Sequence, residues 1–253
     1  MPGKFGAGII YAARTDRGLC RNVNQDAVAA FVKDRTGLFV LADGMGGHSR
    51  GELASREVTA QFQSFWQTLT RSDSLPDFQT LSDQVQNVIL TANEEIYKKY
   101  NQGRICGAAV AVLLISDGCY AVYSVGDSHI YRYEERQIRR LTVDDIWDNL
   151  PSVTGSYTKD EIALNKNSGK LTQAVGVKPQ VCVHVGTDQV GRGRRFLVCS
   201  DGLYKFCDEE KIRKFMRCAG SEKTLQKAAD RLMSEVFDHG AGDNVSLILV
   251  KVR

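Results

Sequence analysis

The order of the predicted strands and helices restricts the fold of this chain more than any other feature of its sequence. Short segments rich in β-branched or apolar residues follow one another, and most are bounded by Gly, Asp, Asn or Ser, which is typical of β-strands joined by tight turns. The predicted strands cover residues 9–13, 27–32, 38–41, 108–115, 120–125, 130–133, 181–185, 196–199 and 245–250.

Apolar residues at helical spacing occur in two places along the chain. Two adjacent amphipathic helices are predicted between the third and fourth strands, and a second pair precedes the last strand. The apolar positions are Val58, Phe62, Phe65 and Leu69, then Phe78, Leu81, Val85, Val88 and Ala92, and finally Leu225, Ala229, Leu232 and Val236 after a shorter piece at residues 212–216. Because the helices come in pairs and do not alternate with strands, we expect an α+β fold with helices on the outer faces of antiparallel sheets.

Composition indicates one ordinary globular domain over residues 1–253, with 43% hydrophobic and 25% charged side chains. The formal charge of +3 is small and its basic residues are scattered, so nucleic acid is not expected as a partner. No apolar run approaches the roughly 20 residues of a membrane span, and the first residues reach charge too soon for a secretory signal. We therefore expect a cytoplasmic monomer that does not bind membranes.

Seven cysteines are present without any C-x-x-C pair, which argues for reduced thiols and against a disulfide framework or a thiolate zinc site. Cys207 and Arg213 form a C-x₅-R pattern, the minimum of a cysteine-dependent phosphatase. The residues between them include three acids and no glycine, so they are expected to begin a helix and not to cradle a phosphate.

Five aspartates share one context, beside the end or the start of an apolar strand: Asp26, Asp43, Asp127, Asp201 and Asp243. A single aspartate of this kind is usually a turn former. Five in the same position relative to strands indicate a site for a hard cation such as Mg²⁺ or Mn²⁺, which prefers carboxylate, carbonyl and water oxygens.

Six segments in order, RNVNQDA, ADGMGGHSRGELAS, VGDSHIYR, LTQAVG, CSDGLYKF and GDNVSLILV, are similar to the successive signature motifs of the PP2C (PPM-type) metal-dependent protein phosphatases, in particular of their bacterial branch. The resemblance spans about residues 21–250. It implies two packed antiparallel β-sheets flanked by pairs of α-helices, with two Mn²⁺ or Mg²⁺ ions in the cleft between the sheets.

For the metal ligands, the resemblance implies that Asp43 bridges both ions and that the other sites are completed mainly through coordinated waters. The further implied ligands are the Gly44 carbonyl, Asp26, Asp201 and Asp243, with Asp127 and Asp201 holding a third, weaker ion. A water between the two ions would attack phosphorus directly, without a phosphoenzyme.

For the substrate, the resemblance implies that Arg21 receives the phosphate, because its planar fork of N–H donors suits a phosphate oxygen pair. Asn244 is expected to orient Asp243 or its water. His48 is a weaker candidate for a general acid, with a structural loop histidine as the alternative. His129, His184 and His239 are expected to be structural.

Residues 142–170 are polar, contain no long apolar run, and are predicted to form a mobile flap near the site. Two positions here and nearby depart from the family pattern. Asp145 stands where many relatives have a histidine, and Gln173 stands where many have an arginine, so contacts between the flap and the substrate are in question.

The predicted function is hydrolysis of phosphoserine or phosphothreonine in proteins, with the substrates of a partner Ser/Thr kinase as natural targets. Two alternatives remain at the level of sequence. One is a catalytically silent relative that binds phosphoproteins as a regulator. The other is a two-metal phosphoesterase that acts on small molecules, because the same metal chemistry serves many phosphate esters.

Overall fold

The computed structural model describes residues 8–46, 50–72, 74–101, 105–191 and 193–253. Within these ranges, ten strands form two antiparallel sheets of five strands each. Sheet 1 has the order β1-β10-β9-β6-β7, with the bounds Ile9–Asp16, Val245–Val252, Arg195–Cys199, His129–Glu134 and Gln137–Arg140. Sheet 2 has the order β2-β3-β4-β5-β8, with the bounds Asp26–Lys33, Thr36–Met45, Gly107–Ser116, Cys119–Val125 and His184–Gln189.

Helices cover the outer face of each sheet. α1 (Arg50–Leu69) and α2 (Phe78–Tyr100) pack against sheet 2, whereas α6 (Glu209–Cys218) and α7 (Glu222–Asp238) pack against sheet 1. Each of the last three begins with an oxygen-bearing cap: Asp77, Asp208 and Ser221 accept a backbone N–H of the first helical turn. The predicted α+β fold with paired helices is confirmed.

Three apolar layers result from the alternation of side chains along the strands. In β3, Leu38 and Val40 face α1 and α2, whereas Phe39 and Leu41 face the other sheet. The layer between the sheets also contains Phe196 and Val198 of β9 and Ile248 of β10, and a third layer lies between sheet 1 and its helices. Residues of β3 and β4 are therefore buried on both faces, which explains their continuous apolar sequence.

The sequence prediction was wrong at two strands, and both are at sheet edges. The strand predicted at residues 181–185 begins only at His184, and β7 at Gln137–Arg140 was not predicted. Each lies at the end of its sheet and is largely exposed, so its side chains are polar and carry no apolar alternation. The pattern that identifies a buried strand is absent from such a strand.

The predicted flap at residues 142–170 has more regular structure than its polar sequence indicates. It contains a 3-10 turn at Trp147–Asn149 and the short helices α3 (Pro151–Thr154) and α4 (Lys159–Ala163). A capping box at Thr158 starts α4, since its hydroxyl accepts from Glu161 N while the Glu161 carboxylate accepts from Thr158 N. None of the helices in the described ranges combines the length and hydrophobicity of a membrane span.

Candidate active site

The two aspartates of sheet 2 are positioned by strand register. Asp26 is the first residue of β2 and lies directly opposite Asp43, near the end of β3. Directly opposed residues of an antiparallel pair project to the same side of the sheet. The register therefore brings these two carboxylates together at one sheet end.

Gly44 is required by close backbone approach. Its N–H donates to the Gln25 carbonyl oxygen at 3.1 Å, and a Cβ atom there would lie 2.1 Å from the Gly51 carbonyl oxygen at the start of α1. Any larger residue would push the start of α1 away from β3. The glycine thus keeps the end of β3, with Asp43, against the helix.

Asp201 and Asp243 come from sheet 1. Asp201 is the first residue of the short helix α5 (Asp201–Tyr204), which begins two residues after the end of β9, and Asp243 lies two residues before β10. Because Cys199 of β9 is paired with Leu247 of β10, the two turns lie at the same end of the sheet.

Asp127 follows β5, in the turn that leads from sheet 2 to β6 of sheet 1. Gly126 before it has φ +96°, and a Cβ there would lie 2.5 Å from the Ala109 side chain. Only glycine fits this left-handed, closely packed position. The turn thereby directs Asp127 into the space between the sheets.

These turns surround one cavity of about 270 Å³. Nearly all the predicted site residues line it: Arg21, Asp43, Gly44, Asp127, Asp201, Asp243 and Asn244, together with Gln25, Met45, Gly46, Ala109 and Leu171. Asp26 is the exception, because it lies behind this lining and is only 8% exposed. The structure therefore brings the predicted residues to one place, and their individual roles stay predictions.

The carboxylates of the cavity repel one another, and this repulsion adds to burial in raising the pKa values of Asp26, Asp43 and Asp127. Burial raises the pKa of Asp43 well above its ordinary value, and the charges of Asp26 and Asp201 raise it further. Burial raises the pKa of Asp127 to about 6, again with a contribution from the charge of Asp201. Burial also raises the pKa of Asp26. Such a cluster favours a cation, which would offset this repulsion.

Two of the carboxylates have a cationic partner on the protein. Arg21 donates to both oxygens of Asp243, from Nε at 2.8 Å and from a terminal nitrogen at 2.7 Å. Lys205 pairs with Asp201 one helical turn away. The described residues contain no group of three or more His, Cys, Asp or Glu side chains already gathered as ligands around one point.

Asp26 has a neutral partner and an unused oxygen. The hydroxyl of Ser200 donates to its Oδ2 at 2.9 Å, and the same hydroxyl accepts from the Ser246 N–H at 3.0 Å. Its Oδ1 is buried and has no hydrogen-bond partner among the described residues. A buried carboxylate oxygen without a donor, in a set made up of carboxylates and carbonyls, fits a hard cation or its water.

Asn244 holds the segment that carries Arg21. Its side-chain nitrogen donates to the carbonyls of Arg17 and Val23 at 2.9 and 3.0 Å, and its side-chain oxygen accepts from Gln25 N–H at 2.8 Å. Its backbone N–H donates to Asp243 Oδ1 at 2.8 Å. The side chain therefore fixes the 17–25 segment, and the contact with Asp243 comes from the backbone.

Asp145 and Gln173, the two positions that depart from the family pattern, both make hydrogen bonds. Asp145 accepts from Gly126 N–H at 2.8 Å and contacts His184 Nε2 at 2.7 Å, which ties the start of the flap to the Asp127 turn. Gln173 exchanges two hydrogen bonds with the backbone of Cys182. Leu171, just past the flap, reaches the cavity lining.

The remaining histidines and the C-x₅-R pattern agree with their structural interpretation. His129 is buried, contacts Tyr131 Oη at 2.8 Å and Asp144 at 2.9 Å, and stacks on Tyr204. His239 contacts the Glu235 carbonyl at the end of α7. Cys207 is buried and the residues after it begin α6, as predicted. His48 lies outside the described residues.

Sequence reasoning missed Lys205, Ser200 and Leu171. Lys205 follows Asp201 by four residues in CSDGLYKF, so the helical (i, i+4) spacing carried a signal for that ion pair. Ser200 precedes Asp201, but its bond to Asp26 joins residues 174 positions apart. Nothing in the sequence pattern indicates a contact of that range.

Comparisons with known proteins identify the family and agree with the fold. The family model for protein phosphatase 2C matches residues 20–236. The chain is 27% identical over 243 residues to the serine/threonine phosphatase stp of Listeria monocytogenes, covering 94% of each protein. The fold matches the serine/threonine phosphatase of S. agalactiae with a TM-score of 0.84 and 27% identity, covering 97% of this chain and all of that one.

A second solved structure is the catalytic domain of the serine/threonine phosphatase PstP in complex with two manganese ions. It matches with a TM-score of 0.79 and 26% identity, covering 97% of this chain and 99% of that chain. The chain belongs to the protein phosphatase 2C family. The identification made from the six motifs is thus confirmed, and so is the prediction of a protein phosphatase.

Proposed function

We propose that this chain hydrolyses phosphoserine and phosphothreonine in proteins, using two Mn²⁺ or Mg²⁺ ions, with a third, weaker ion at Asp127 and Asp201. The observation that carries the proposal is one cavity lined by Asp43, Asp127, Asp201 and Asp243 with Arg21 at its edge. The raised pKa values of Asp43 and Asp127 support it, because carboxylates that repel one another are stabilised by cations.

The residues fit the ions by chemistry and by charge. Asp43 would contact both ions, while the Gly44 carbonyl, Asp26, Asp201 and Asp243 would complete the two sites, largely through water. Two bound cations lower the pKa of a water between them and offset the charge of the phosphoryl oxygens. The exposed guanidinium of Arg21 would orient the phosphate, because its N–H groups can contact two oxygens of one phosphate.

Direct attack by water is supported by the cavity lining. The lining contains no Ser, Thr, Cys or His among the described residues, so hydroxyl, thiol and imidazole nucleophiles are absent from that part of the site, and its aspartates would be occupied as ligands of the ions. Cys207 is 1% exposed and burial raises its pKa to about 12. A thiolate mechanism at Cys207 is therefore not supported.

The test is turnover of a phosphothreonine peptide, a phosphoserine peptide, para-nitrophenyl phosphate and a nucleotide monophosphate under matched conditions. We expect hydrolysis that requires Mn²⁺ or Mg²⁺, stops with EDTA and favours the phosphopeptides over the nucleotide. Metal-independent turnover would refute the two-ion mechanism. Preference for the nucleotide would favour the small-molecule phosphoesterase, and absence of turnover at saturating Mn²⁺ would favour the silent regulator.

We further propose that the phosphatase is a cytoplasmic monomer acting on the targets of a partner Ser/Thr kinase. The family membership and the modest net charge of +3 support phosphoproteins, and not nucleic acid, as partners. Light scattering of the purified chain tests the monomer, since a dimeric mass would contradict it. Phosphoproteomics of a deletion strain tests the kinase link, since phosphosites unrelated to any kinase of that cell would contradict it.

A further inference from the structure

We propose that Arg21 and a cation compete for Asp243, so that binding of the cation frees Arg21 to receive the phosphate. The inference deepens the proposed function and rests on it: it makes cation binding precede strong phosphate binding at the same site. The Asp243 carboxylate thus couples binding of the cation to binding of the phosphate by Arg21.

The contact between Arg21 and Asp243 is bidentate. Arg21 donates from Nε to Oδ1 at 2.8 Å and from a terminal nitrogen to Oδ2 at 2.7 Å, so one edge of the guanidinium is fully used. Parallel bonds of this geometry are also the ones by which arginine holds a phosphate. Asp243 therefore occupies the N–H donors on that edge of Arg21, which would otherwise bind the phosphate.

The charge of the pair matters as much as its geometry. Asp243 raises the pKa of the Arg21 guanidinium, which means that the carboxylate stabilises its positive charge. A guanidinium whose charge is offset by a neighbouring carboxylate attracts a phosphate dianion less strongly. The other anions of the cavity, Asp43 and Asp201, reduce that attraction further.

Asp243 has limited capacity for a second cationic partner. Its Oδ1 also accepts from the backbone N–H of Asn244 at 2.8 Å, so this oxygen already has two donors. A divalent ion at the carboxylate would lie close to the guanidinium and the two positive charges would repel one another. We infer that an ion at Asp243 displaces Arg21 toward the open side of the cavity, where the side chain is already 56% exposed.

The experiment measures binding of inorganic phosphate, by calorimetry, to protein freed of metal with EDTA and then dialysed. Four proteins are compared: wild type, Asp243→Asn, Asp127→Asn, and the double variant Arg21→Ala with Asp243→Asn. Asp127→Asn is the matched control, because it removes one negative charge from the same cavity without touching Arg21. Circular dichroism verifies that each variant is folded.

We expect Asp243→Asn to bind phosphate at least tenfold more tightly than both wild type and Asp127→Asn, and to lose this gain in the double variant. Mg²⁺ should tighten phosphate binding to the wild type. Equal affinities of Asp243→Asn and Asp127→Asn would show that only the total charge matters, and weaker binding by Asp243→Asn would show that Asp243 positions Arg21 for phosphate. Either result overturns the proposal.

A second measurement covers the case in which Asp243→Asn does not fold. Wild-type protein is treated with phenylglyoxal with and without Mg²⁺, and modified arginines are located by mass spectrometry. We expect Mg²⁺ to accelerate modification of Arg21 severalfold and to leave the exposed Arg71 unchanged. Unchanged or slower modification of Arg21 overturns the proposal.

Both measurements need no turnover, which separates this inference from the proposed function. A protein that hydrolyses no phosphopeptide but shows the tenfold gain would retain the competition and lose the phosphatase. A protein that hydrolyses phosphopeptides without the gain would retain the phosphatase and lose the competition.

Discussion

Asp26 and Asp43 on sheet 2 lie opposite each other on paired strands. Asp201 and Asp243 lie beside the ends of sheet 1 strands, and each pairs with a cationic side chain. The first pair is held by strand register and has Ser200 as its neutral donor. The second two contact Lys205 and Arg21. Asp26 and Asp43 therefore make no ion pair among the described residues, whereas Asp201 and Asp243 each make one.

This difference indicates two separate contributions to cation binding. On sheet 2 the folded protein tolerates repulsion between buried carboxylates, so a bound cation relieves a cost already present in the fold. On sheet 1 a metal ion has to displace the Lys205 or Arg21 side chain from its carboxylate, so the net gain in binding free energy is smaller. The sheet 2 carboxylates should therefore dominate affinity, and the sheet 1 carboxylates should adjust it.

The largest effect is expected at Asp43. Asp43→Asn should lower turnover of a phosphothreonine peptide by at least about a thousandfold, because a bridging ligand serves both ions. The same change should raise the stability of metal-free protein by about 1 kcal/mol or more, since it removes a charge that burial disfavours. Urea denaturation with EDTA measures the second effect. Asp238→Asn, at the exposed end of α7, is the control, and loss of stability at Asp43→Asn would contradict the comparison.

The next effect concerns the buried donor to Asp26. Ser200→Ala should destabilise the protein by roughly 1–3 kcal/mol, because it leaves Asp26 Oδ2 and the Ser246 N–H without their partner. Urea denaturation gives the value. Ser234→Ala removes a hydroxyl that bonds its own helix on the surface and should cost less than about 0.5 kcal/mol. Equal costs for the two variants would show that Ser200 does not support the sheet 2 pair.

A smaller effect is expected at Lys205. Lys205→Met should lower the Mn²⁺ concentration needed for half-maximal activity by up to roughly fivefold, since a partly exposed ion pair contributes about 0.2–1 kcal/mol and competes with the ion for Asp201. Titration of activity with Mn²⁺ measures it. Lys211→Met breaks the ion pair that joins α6 to Glu235 of α7, outside the cavity lining, and should have no effect. An increase in the required Mn²⁺ would contradict the view that Lys205 competes.

No effect on chemistry is expected at Cys207. Burial raises the pKa of its thiol to about 12, so at pH 8 it should stay protonated and resist iodoacetamide. The exposed Cys20, Cys182 and Cys218 should react. Mass spectrometry of the labelled peptides reports each thiol, and Cys207→Ser should keep phosphatase activity. Rapid labelling of Cys207 would reopen the thiolate interpretation.

Much of the fold could be predicted because the central strands consist of continuous apolar residues, which is typical of strands buried on both faces. β3 and β4 are covered on both faces, and their sequences carry continuous apolar runs. The edge strands β7 and β8 are exposed and polar, so their positions were missed or shifted. The short helices of the flap were not predicted either, because four or five residues are too few to show a periodicity.

The sequence by itself determined the five aspartates, their place at strand ends and the family to which the chain belongs, because local pattern and ordered motifs record these. Only the tertiary structure decided what each carboxylate contacts. Ser200 meets Asp26 and Arg21 meets Asp243 through chain separations of 174 and 222 residues. Such pairs depend on strand register and on the packing of two sheets, which bring distant turns to one end of the fold.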